Sequence, residues 1–135
     1  LLIALYDTLA GDLRRAAQAE RRNDIESRCR ELNHALLVIG HLEDWISRGP
    51  GGELAHQLSA FYSSLRRKMI EAQARRSPEI LEEQMAQVLS TREIWQGVQL
   101  RESASTIQDR VRTATPNYPG AIPVRFEQRS SSWSA

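Results

Sequence analysis

Between Leu1 and Val98 apolar residues recur three and four positions apart, and the strict alternation of a β-strand is almost absent, so the pattern predicts an all-α chain. In a first segment, about Leu2 to Arg22, Leu2, Tyr6, Leu9, Leu13 and Ala16 fall on one helical face. The chain begins inside this periodicity with neither Met nor a cap, as expected of either a truncation or the edge of an ordered region. Asp24 is a good N-cap for a second helix carrying Ile25, Cys29, Leu32, Leu36, Ile39 and Ile46, stopped by Gly49-Pro50-Gly51-Gly52. A third helix is predicted from Glu53 to Arg75 on Leu54, Leu58, Phe61, Leu65, Met69 and Ala72. Ser77-Pro78 then supplies a cap and a first-turn proline for a fourth, with Leu81, Met85, Val88 and Trp95. Connections this short make successive helices antiparallel neighbours, and the economical architecture is an up-down-up-down four-helix bundle.

Past Val98 the spacing of Leu100, Ala104, Ile107 and Val111 either extends the fourth helix or forms a short fifth C-terminal helix. Pro116, Pro119 and Pro123 exclude helix after that. The expected organisation is therefore a bundle over 1–99, a helical extension over 100–113 and a mobile tail containing Pro and Ser over 114–135.

A length of 135 residues with 41% hydrophobic content suits one domain with one core. Lysine and arginine total 18 against 17 acidic residues, so the net charge of +1 offers no bulk attraction to nucleic acid or an anionic membrane. No apolar run approaches the roughly 20 residues of a membrane-spanning helix, and no leader opens the sequence, so membrane insertion is not expected and a cytoplasmic location is. The single Cys29 excludes an internal disulfide and fits a reducing compartment.

Two Glu-x-x-His pairs, Glu31 with His34 and Glu53 with His56, have the spacing that di-metal helical bundles use. Their levels along the expected bundle differ by roughly 15 Å, and His34 stands about 180° from Ile25, so no shared metal site and no cofactor are expected. His34 and His41 also suggest a histidine phosphotransfer four-helix signalling domain, an alternative weakened by the lack of Lys or Gly one turn after His34. No nucleophile triad, phosphate-binding glycine loop or carboxylate pair emerges, and the chain is not expected to be an enzyme. Arg21-Arg22 and Arg75-Arg76 come to one end of such a bundle, where cations at helix C-termini offset the macrodipole.

The second helix is too apolar for one seam. With Ile25 at zero, Leu32, Leu36 and Ile39 lie within about 40°, while Leu42, Val38 and Trp45 lie near about 260°, 220° and 200°. Val38, Leu42 and Trp45 are accordingly expected either beneath the stretch from Leu100 to Val111 or along an open groove, with Tyr62 and Ile70 of the third helix on a second strip. Such a groove would suit an amphipathic helix.

Leu5-Tyr6-Asp7, Asn23-Asp24-Ile25, Gly51-Gly52-Glu53-Leu54-Ala55 followed by Leu58 and Tyr62, and Arg92-Glu93-Ile94-Trp95 together resemble the FliS flagellar chaperones over about Leu2 to Val98. Thr8 departs from the glycine common in that family, and the family's N-terminal tyrosine-containing segment has no counterpart here. The resemblance implies an antiparallel helical bundle and a cytoplasmic chaperone. Its partner would be the disordered C-terminal segment of flagellin, kept from premature polymerisation and handed to the flagellar type III export apparatus, with the export gate as a further contact. Tyr6, Val38, Leu42, Trp45, Tyr62 and Ile70 are the expected flagellin-binding residues. Ile122 to Phe126 would fold back as a temporary groove cover.

Overall fold

The computed structural model describes residues 1–49 and 51–114, and the expected groove cover at Ile122 to Phe126 lies outside them. Four helices follow in order: α1 over Leu2–Arg21, α2 over Ile25–Ser47, α3 over Glu53–Arg75 and α4 over Pro78–Ala114. The stretch after Val98 continues α4, and a separate fifth helix is absent among the described residues. The chain divides into one compact unit over Leu1–Gln96 and a second beginning at Gly97.

The turns show why the helices stop where they do. Asn23 leaves α1 with φ of +58°, a left-handed conformation that asparagine tolerates, and Asp24 N–H returns to Ala19 O at 2.9 Å. The Asp24 side chain then accepts from Ser27 N at 3.1 Å and caps α2. The α3–α4 turn repeats the device, with Arg76 at φ of +51°, Ser77 N–H bonded to Ala72 O at 2.9 Å and the Ser77 hydroxyl accepting from Ile80 N at 3.3 Å. Between α2 and α3, Gly51 and Gly52 have φ of +81° and +93°, a region open to glycine and costly to side chains.

Cross-helix pairs fix the topology of the first unit. Asp12 with His34, Arg15 with Glu31 and Glu20 with Arg28 run α1 against α2. Glu43 with Arg66 sets α2 against α3. Asp7 with Arg92 and Arg21 with Glu82 set α1 against α4. Tyr6 with Tyr62 and Glu20 with Arg76 keep the same separation in sequence, so α1 and α3 run parallel across the interior. This is the expected up-down-up-down arrangement. The interior is filled by Leu9, Leu13, Leu32, Ile39, Leu42, Leu65, Met69, Leu81 and Val88, and α1 contributes the small Ala10, Ala16, Ala17 and Ala19.

Three polar side chains enter this interior with partners. Asp12 is fully buried and accepts from Arg15 at 2.7 Å, with His34 Nδ1 at 2.6 Å from its other oxygen. Glu20 is bracketed by Arg28 and Arg76, and Arg28 is itself buried, its Nε without a partner. Burial pushes the Glu20 carboxyl up, but hydrogen bonds and charge from the two guanidiniums outweigh it and hold the group below the usual carboxylate range. Arg76 also donates to Asn23 Oδ1 at 3.0 Å, tying the α3–α4 turn to the α1–α2 turn. The basic end expected from the sequence is thus laced with carboxylates: Arg21 pairs with Glu82 and Glu79, and Arg75 with Glu71.

Candidate functional site

Large apolar side chains outside the core are the feature to explain on this bundle. The buried positions of α2 are Arg28, Leu32, Ala35, Val38, Ile39 and Leu42, an arc of about 120° in helical phase, which is what a bundle helix requires. That arc is rotated from the stripe centred on Ile25. Ile25 is half-exposed and Leu36 is only partly covered, whereas Val38 and Leu42 belong to the core. Weighting large apolar residues pulled the expected stripe toward Ile25 and Leu36, because Ala35 is small and Arg28 is charged, yet both face inward.

The six expected binding residues consequently separate. Val38 and Leu42 do not line an open strip; they are 4% and 0% exposed. Tyr6 and Tyr62 are likewise interior. Trp45 and Ile70 lie at the surface, 45% and 65% exposed, and Leu37, which the sequence reading passed over, is 66% exposed. On α2, Leu37, His41 and Trp45 follow at intervals of four and form one outward ridge. Beside the ridge is Gly40, where an added Cβ would meet no heavy atom within 4 Å. The Glu43–Arg66 pair, bidentate at 2.7 and 3.2 Å, fixes the register between α2 and α3 and brings Gly40 level with Met69 and Ile70. In helical phase and register the outer α2–α3 face therefore carries Leu36, Leu37 and Ile70 around the open space over Gly40, while Trp45 turns away from α3 and packs against Trp95 of α4. A glycine in the middle of a long helix was the available signal for this opening, since it costs about 1 kcal/mol relative to alanine without a compensating use.

Beneath the surface an aromatic network stiffens the same end. The Tyr6 and Tyr62 hydroxyls are 2.6 Å apart, and Trp95 Nε1 donates to Tyr6 Oη at 3.2 Å. Trp45 packs edge-on against Trp95 with centroids 5.9 Å apart, and Phe61 lies 5.6 Å from Tyr62. Burial raises both phenol pKa values, so the pair is neutral at any physiological pH. Two sequence motifs distant along the chain meet here: Arg92 pairs with Asp7 while Trp95 bonds Tyr6. Tyr6 and Tyr62 thus lie in the interior and are linked to the half-exposed Trp45 through Trp95.

The histidines are arranged differently. His34 Nδ1 is engaged by Asp12 and Glu31 by Arg15, so both polar members of that Glu-x-x-His pair clasp α1 to α2. An incoming phosphoryl group at His34 would face the Asp12 and Glu31 carboxylates. Glu53 accepts from Gln57, one turn on in α3, and His56 is exposed. No helix among the described residues is long and apolar enough to cross a membrane.

Comparison with known proteins agrees with the arrangement of these motifs. The family described as Flagellar protein FliS matches residues 1–102. The flagellar secretion chaperone FliSB of Pseudomonas aeruginosa is 29% identical over 93 residues, covering 67% of this chain and 74% of its own length.

Proposed function

The chain belongs to the FliS family of flagellar proteins, and from that premise we propose that it is a flagellar export chaperone for flagellin. It binds the disordered C-terminal segment of flagellin in the cytoplasm, keeps it from polymerising early and delivers it to the flagellar type III export apparatus. It does so by covering surface and not by chemistry. The observation that carries the reading is the outer α2–α3 face, where Leu37 and Ile70 stay exposed beside the open Gly40 although the bundle has a filled interior of its own. Filament-forming ends are amphipathic, and an apolar stripe without its partner self-associates; a client segment folding onto this face would bury its stripe there. Ordering the client offsets part of the contact energy, which leaves a specific surface releasable without nucleotide.

Co-expression tests this directly. The tagged full-length chain should retain full-length flagellin on an affinity column and lose flagellin that lacks its C-terminal helix. Equal retention of both would reject the assignment of the client segment.

A further inference from the structure

The buried guanidinium of Arg28 has an edge that no carboxylate meets. The residue is 8% exposed, and its Nη1 donates to Glu20. A guanidinium presents Nε and Nη2 together along one edge, the pair with which Arg21, Arg66 and Arg92 hold the carboxylates of Glu82, Glu43 and Asp7. On Arg28 that edge is turned to the next residue of α2, with Nη2 donating to Cys29 Sγ at 3.8 Å and the buried Nε left without a partner. A thiol sulfur is a weak acceptor, so a cationic donor pair stands beside it largely unused. Cys29 is itself only partly buried, and its sulfur is open to a small molecule from solvent.

We propose that Cys29 is an oxidation site for hydroperoxides, with the Nε–Nη2 edge of Arg28 as the donor pair for the oxygen that the sulfur acquires. In the step, Cys29 Sγ attacks one peroxide oxygen, the S–O bond forms as the O–O bond breaks, and two electrons pass from sulfur to the peroxide. The departing oxygen takes the thiol proton and leaves as water or an alcohol. The product is a sulfenic acid, whose oxygen is a better acceptor than the thiol sulfur and gives the unmet Nε a partner. Cys29 is the single cysteine of the 135 residues, so no second thiol among them condenses with the product, which persists until a thiol of another molecule arrives. The site lies at the opposite pole of the first unit from Trp45 and does not depend on the flagellin reading.

The test exposes the full chain to hydrogen peroxide, traps the sulfenic acid with a cyclic 1,3-dione and reads the adduct on Cys29 by mass, with iodoacetamide alkylation as the measure of access to the same sulfur. Trapping should run at least about fivefold faster in the folded chain than in the chain unfolded in urea, whereas alkylation should be slower in the folded chain because the sulfur is partly covered. Arg28→Lys keeps a cation for Glu20 and removes the fork. It should slow trapping about tenfold, the fold-change that one charge-assisted hydrogen bond supplies, and change alkylation by less than about twofold. Trapping no faster in the folded chain than in urea overturns the proposal, and that comparison holds whether or not Arg28→Lys folds. Unchanged trapping in a folded Arg28→Lys chain, or equal slowing of trapping and alkylation, overturns it as well.

Discussion

Tyr6 Oη and Tyr62 Oη are 2.6 Å apart in the interior, and Tyr6 also accepts the indole N–H of Trp95, so one hydroxyl joins three helices. The two tyrosines are not equivalent. Tyr6→Phe leaves both Tyr62 and Trp95 without a buried partner and should cost about 2–4 kcal/mol, while Tyr62→Phe leaves the Trp95 bond in place and should cost about 1 kcal/mol. Urea unfolding of the two variants checks the order; equal losses would mean that Trp95 does not depend on Tyr6.

Glu20 gives the stability a defined pH dependence. Its folded pKa is depressed, so its contribution is fully present above the unfolded carboxyl value of about 4.3 and is lost as pH falls through the lower folded value. Glu20→Gln leaves the buried Arg28 without its countercharge and should lower unfolding free energy by roughly 3 kcal/mol at neutral pH. The gap to the parent should close in acid below about pH 4. Chemical denaturation at several pH values measures both ends; a gap independent of pH would mean that the pair is not ionic in its effect.

Surface and core changes on α2 should separate binding from folding. Leu37→Glu and Ile70→Glu alter exposed positions and should leave stability within about 0.5 kcal/mol. Their affinity for a flagellin C-terminal peptide should fall about tenfold through the lost apolar contact. Val38→Glu places an unpaired charge in the core and should unfold the bundle instead, seen as loss of the cooperative melt.

Gly40 offers a graded version of the same comparison. Since an added Cβ meets nothing within 4 Å, Gly40→Ala should stabilise α2 by about 0.5–1 kcal/mol and keep client affinity. Gly40→Leu should fill the opening and reduce affinity while the melting temperature holds. Calorimetry of melting and of peptide binding on both variants decides it, and full affinity in Gly40→Leu would show that the client passes elsewhere.

Much of this architecture is legible in the sequence because it is local. Asp24 and Ser77 cap α2 and α4 as their side chains require, and Gly51-Gly52 marks a turn with two residues at positive φ. The side of α2 that faces inward is less legible. Inward rotation depends on what the neighbours can accept: Arg28 enters against Glu20, a pairing with a residue of another helix that no periodicity reveals. Of the expected binding residues, Trp45 and Ile70 stand at the surface, whereas Tyr6 and Tyr62 are buried by a contact between helices far apart along the chain.

The crossed hydrogen bond from Arg76 to Asn23 fastens two of the three interhelical turns to each other at one pole. At the other pole Gly51 and Gly52 are exposed, with no heavy atom within 4 Å of a Cβ added at either. The rivet therefore holds α2 and α3 together at the pole where no turn links them, since the glycine turn joins them covalently at the other.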